Sequence, residues 1–110
     1  PTANKPKPGE GSYGNDAPSY TGSVQVLNAS STDGAARKVS GELQEKGFTT
    51  TASSATATSG TTRIIYNGDA SMASARGVAE VLGGDIKIEA NNGGHSTNVN
   101  VVVILGTDKY

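Results

Sequence analysis

The sequence predicts a small α+β domain: a two-layer sandwich with two helices on one face of a four- or five-stranded mixed sheet. Three observations carry this. Strand-like runs ending in Asn28 and Asn67 are each followed by a helix-patterned stretch. The second stretch repeats the first 39 positions on, with Ala36, Arg37, Val39 and Leu43 answered by Ala75, Arg76, Val78 and Leu82. Amphipathic helices and half-buried strands each hide one face, so they stack as layers. Finally, Val101-Val102-Val103-Ile104-Leu105 is apolar without interruption, as a strand covered on both faces would be. Two βαβ-like repeats make a ferredoxin-like order the first expectation, with the fifth strand still to be placed.

In chain order, residues 1–22 read as a flexible linker. They hold all four prolines and none of the Val, Ile, Leu, Met or Phe, so ordering them has little burial to offset it. Tyr13 and Tyr20 are read as solvated, with docking onto a surface as the alternative. The domain is expected over 23–110. Val24 and Val26 share one face of a first strand running to Leu27. Thr32 or Asp33 is placed to cap a helix over about 35–46, and Gly47 is a left-handed stop that brings Phe48 back to Leu43. The Thr-rich stretch 48–57 suits a polar edge strand. A third strand follows at Thr61–Tyr66, with Asp69 or Ser71 as the next cap. The second helix carries the stripe Met72, Ala75, Val78, Ala79 and Leu82, and Gly83-Gly84 ends it. Ile86 and Ile88 alternate in a short fourth strand. Asn92-Gly93-Gly94 marks a loop, and the last strand runs over 99–105, central in the sheet or covered by a partner.

Composition narrows the function classes. A net charge of −1 gives no field for nucleic acid or an anionic membrane, and no basic stripe interleaves with aromatics. Without cysteine there is no disulfide, thiol nucleophile or thiolate metal site. No run reaches the roughly 20 apolar residues of a membrane span. The sequence opens on Pro1 rather than Met and is read as a piece of a longer protein. The single histidine, His95, lies in a glycine-rich loop with no orienting partner nearby, so general-base or metal chemistry is not expected of it. G-x-S-x-G, the P-loop and G-x-G-x-x-G are all missing. The chain is therefore expected to be non-catalytic, with no metal and no cofactor. An enzyme would require His95 and Asp108 to share a closed pocket.

What remains are the two strand-to-helix turns. Helix N-termini offer free N–H groups to anions. Asn28, Ser30 and Arg37 in one repeat, and Asn67 and Arg76 in the other, form a pair of candidate anion or glycan sites. The plainer reading makes the asparagines turn formers and the arginines solvated helix residues. Asn28-Ala29-Ser30 also fits the N-glycosylation pattern, which chance often supplies.

Val24–Asn28, Leu43–Phe48, Ile64–Tyr66, Ala75–Gly83 and Val101–Asp108, in this order and spacing, resemble the LytR C-terminal domain over about 23–108. The resemblance implies a setting in the cell envelope of Gram-positive bacteria, especially actinobacteria. There such domains follow a LytR-CpsA-Psr catalytic domain, or a membrane anchor and linker. That catalytic domain attaches anionic glycopolymers to peptidoglycan, and none of it is present here, so no catalytic residue carries over. The implied role is an extracytoplasmic accessory module of a membrane-anchored parent, binding cell-wall glycopolymer or peptidoglycan, or contacting other envelope proteins. The alternative is a protein-interaction or self-association domain using the exposed edge at 48–57.

Overall fold

The computed structural model describes residues 18–55, 57–83, 86–95 and 97–110. Its elements are β1 (Ser23–Asn28), α1 (Ala35–Lys46), β2 (Thr49–Ser54), β3 (Arg63–Tyr66), a 3-10 turn (Asp69–Ser71), α2 (Met72–Leu82), β4 (Lys87–Ala90) and β5 (Val101–Leu105). The sheet has five strands in the order β2-β1-β5-β3-β4. β1 runs parallel to β2 and to β5, β3 runs parallel to β4, and β3 is antiparallel to β5.

This order corrects the ferredoxin-like expectation. A ferredoxin-like sheet splits each βαβ unit by inserting a strand between its two strands. Here both units stay whole, because each helix returns the chain beside the strand it left. β5 takes the slot between them, the position its two apolar faces require. The two units are thus related by an approximate twofold axis normal to the sheet, and β1 and β3 point in opposite directions.

One face of the sheet carries Val24, Val26, Ile64, Val101, Val103 and Leu105. Both helices lie on it, burying Ala35, Ala36, Val39 and Leu43 from α1 and Ala75 and Val78 from α2 in a single cluster. The opposite face holds a smaller cluster of Ala29, Ile65, Val102 and Ile104. No helix of the described residues covers it; Leu27, Ala55 and Val99 pack against it instead. The far side of β5 is therefore closed by the chain's own strand and loop residues.

The helix termini show where local chemistry differs from the sequence reading. α1 ends as expected: Gly47 has φ +122°, its N–H reaches Gln44 O at 3.1 Å, and Phe48 N–H reaches Leu43 O at 3.1 Å. The N-termini follow the reading only in part. Neither Thr32 nor Asp33 caps α1; Gly34, at φ +81°, occupies the capping position without a side-chain bond. At α2 the position is as read: Ser71, the last residue of the 3-10 turn, occupies the capping position, but its side chain makes no capping bond. In the first case the Thr32 hydroxyl is spent elsewhere, donating to Tyr110 O at 2.8 Å, while Asn28 Nδ2 bonds the Thr32 carbonyl and shapes the turn.

Residues 18–22, the end of the expected linker, are docked on the domain; residues 1–17 lie outside the described residues. Ser19 N–H donates to Ala73 O at 2.9 Å, Ser74 Oγ donates to Thr21 O at 2.8 Å, and Thr49 N–H donates to Gly22 O at 2.9 Å. Glycine makes this approach possible. A Cβ on Gly77 would lie 1.8 Å from the Ser19 carbonyl oxygen, and one on Gly47 would lie 2.6 Å from that of Tyr20. The Tyr20 ring meets Phe48 edge-on, with centroids 6.3 Å apart.

Candidate functional site

Asn28 closes β1 at the carboxyl end of the first parallel pair. Its Oδ1 accepts from the Ser30 N–H at 3.0 Å and from Ser30 Oγ at 2.6 Å, and its Nδ2 donates to Thr32 O at 2.9 Å. Ser30 Oγ in turn accepts the Thr32 N–H at 3.2 Å. Asn28 and Ser30 are thus committed to shaping the β1–α1 turn, the structural role weighed for the asparagine. That turn aims the first turn of α1 into an open pocket of about 280 Å³, lined by Asn28, Gly34, Ala36, Arg37 and the end of β2 at 52–54. Arg37 is exposed there and makes no ion pair among the described residues. With no side-chain cap on α1, the pocket presents backbone N–H groups and one exposed cation above the ends of two parallel strands.

The second repeat puts its equivalent residues elsewhere. Because β1 and β3 run antiparallel across β5, Asn67 sits at the opposite end of the sheet from Asn28. The space around Asn67 is filled by the loop before β5. Asn67 Nδ2 donates to Val99 O at 2.8 Å, its backbone N–H donates to Asn100 O at 2.9 Å, and Asn91 Nδ2 donates to its Oδ1 at 2.7 Å. Asn100 extends this network to the Ser23 N–H at 2.9 Å and to Ser71 Oγ at 3.1 Å. Arg76 is half-buried with its Nε enclosed and unpartnered, and it borders a hollow of about 140 Å³ with Pro18, Ala79, Glu80 and Ile88. The structure therefore brings Asn28, Ser30 and Arg37 together and separates them from Asn67 and Arg76. One site is open; its pseudo-symmetric twin is filled by the chain's own asparagines.

His95 and Asp108 do not meet. The His95 carbonyl is held by Asn91, beside the end of β3, whereas Asp108 bonds Thr62, just before its start. Among the described residues no three His, Cys, Asp or Glu side chains gather as a metal site, and no helix is long and apolar enough to cross a membrane.

A second groove, of about 440 Å³, lies across the C-terminal halves of the helices and is lined by Tyr20, Lys46, Glu80 and Val81. Reading Tyr20 as solvated missed it. One signal was present in the sequence: Gly77 interrupts the helix pattern at a position where the first repeat has Lys38.

The model of the LytR_C family, described as LytR cell envelope-related transcriptional attenuator, matches residues 21–108. Two solved structures share the fold. The crystal structure of the soluble domain of a conserved hypothetical secreted protein of Mycobacterium marinum, the Rv2700 ortholog, is 32% identical. It covers 87% of this chain and 67% of its own, with a TM-score of 0.64. The solution structure of the C-terminal domain of RV0431 is 25% identical over 96% of this chain and 81% of its own, with a TM-score of 0.55. No curated protein matches the chain.

Proposed function

The chain belongs to the LytR_C family of cell envelope-related proteins, and from that premise we propose that it is a non-catalytic, extracytoplasmic module that binds wall glycopolymer through the open end of its first βαβ unit. The carrying observation is the pocket at the start of α1. Uncapped N–H groups and the free Arg37 guanidinium converge there on one side of Asn28. Such a site suits the phosphate or carboxylate groups of an anionic polymer. The secreted nature of the M. marinum relative supports the placement outside the cytoplasm. The module would hold the polymer for a transferase that acts nearby, in a parent protein anchored in the cytoplasmic membrane.

Co-sedimentation with purified sacculi carrying their anionic glycopolymers tests this. Binding that falls with rising salt, and falls with Arg37→Glu, is the expected result. Equal recovery with and without sacculi at low salt would refute it.

A second reading rests on β2. Among the described residues no strand pairs with its outer edge, it is exposed along most of its length, and its sequence TTTASS carries no charge to discourage pairing. Self-association or strand addition by another envelope protein would use this edge. A rise in scattering mass with concentration that Thr51→Pro abolishes supports this reading.

A further inference from the structure

We infer that the groove formed by Tyr20, Lys46, Glu80 and Val81 is a saccharide-stacking site that takes one pyranose ring of a glycan chain. The inference rests on the glycan-binding reading above but concerns a different surface. Tyr20 is 38% exposed, and among the described residues it is the large hydrophobic side chain left open to solvent. Its contact with Phe48 is inclined at 68°, so Phe48 fixes the ring while covering at most one of its faces. A pyranose has an apolar C–H face that packs on an open aromatic face, and equatorial hydroxyls that need donors and acceptors at the rim. Lys46 supplies donors and Glu80 supplies acceptors. Neither is engaged in an ion pair or hydrogen bond among the described residues. The groove, at about 440 Å³, falls within the size range of small-ligand pockets.

The seating of Tyr20 is built into the fold. Gly77 and Gly47 leave room for the Ser19 and Tyr20 carbonyls, and Ala73 and Ser74 hold the backbone on either side. A merely solvated tyrosine would need none of these. The groove also lies apart from the α1 pocket, so an uncharged sugar could be held here while an anionic group is held there.

The test is a titration of the ¹⁵N-labelled chain with chitotetraose, a β-1,4-linked N-acetylglucosamine tetramer, run beside co-sedimentation with sacculi. Amide shifts at Tyr20, Lys46–Phe48 and Glu80–Leu82 are expected. Tyr20→Ala should weaken binding about tenfold, and Tyr20→Phe should keep it within about threefold. Glu80→Gln and Lys46→Ala serve as second variants that leave the docked backbone untouched, each expected to weaken binding about threefold. Glycan binding that survives Tyr20→Ala unchanged, or shifts confined to residues 28–37, would overturn the groove and leave the wall-binding module standing. No binding of the tetramer or of sacculi by the unaltered chain would overturn both.

Discussion

The carboxylate of Asp108 accepts both the backbone N–H and the hydroxyl of Thr62, at 3.0 and 2.7 Å, across 46 residues of sequence. Thr62 is buried, and its Oγ1 also accepts the Gly106 N–H at 2.9 Å. Gly106 itself must be glycine, since a Cβ there would lie 2.4 Å from the Thr61 backbone. The closing Leu105-Gly106-Thr107-Asp108 is therefore a clasp that joins the end of β5 to the start of β3.

The clasp predicts an acid-sensitive limb. The Thr62 hydroxyl, then the Thr62 N–H and the Lys109 charge, hold the Asp108 carboxyl below its ordinary value, against an opposing contribution from desolvation. A depressed carboxyl stabilises the fold above the unfolded-state value, so this contribution is intact above about pH 4 and lost as pH falls through the folded-state value. Thr62→Val should cost about 1–3 kcal/mol at neutral pH, by removing the hydroxyl and orphaning the Gly106 N–H, and should flatten the acid limb. Urea midpoints between pH 2 and 7 for both proteins check this.

Gly77→Val should lift residues 18–22 off α2. The new side chain would collide with the Ser19 carbonyl and come within 3.2 Å of the Phe48 ring. A stability loss of about 1–3 kcal/mol is expected, with hydrogen exchange rising at Ser19 and Thr49 while the β5 amides stay protected.

Leu43 is fully buried between α1 and the sheet. Truncation to Ala should cost about 2–5 kcal/mol, enough to threaten folding of a small aliphatic domain, and thermal unfolding reads this directly.

Arg37→Glu and Arg76→Glu should separate two residues that the repeat makes equivalent. The first should abolish salt-sensitive polymer binding and leave stability within about 0.5 kcal/mol. The second should leave that binding unchanged, because Arg76 lies at the other end of the sheet, but lower stability by forcing a carboxylate beside Glu80. Paired co-sedimentation and melting curves distinguish them.

The sequence disclosed those features that short-range pattern controls. The duplicated stripes placed both helices, Gly47-Phe48 declared the end of α1, and the doubly apolar run of β5 pointed to a strand either central in the sheet or covered by a partner. Strand order was not legible, because it depends on how the loop before β5 turns the chain between two whole units. The Thr32 cap was misread because its hydroxyl goes to the Tyr110 carbonyl, 78 residues away, and local sequence does not record that partner. The docking of residues 18–22 was hidden because it uses mainly backbone groups, which any polar sequence carries. In the candidate site, the first repeat is a turn shaped by Asn28 and Ser30 and followed by the exposed Arg37. The second was occupied by asparagines more than twenty residues downstream.

The path of the chain into β1 has a mechanical consequence. Tension on residues 1–17 arrives at Ser19–Gly22 before it reaches the sheet, so the short strap must peel from α2 first. The load then passes into β1, which is flanked on both sides by parallel neighbours and can yield only by sliding against all their hydrogen bonds at once. A polymer gripped beyond Asn28 would pull from the far end of that same strand. Under such a pull the domain would be loaded in shear along β1, the strand hydrogen-bonded to parallel neighbours on both sides.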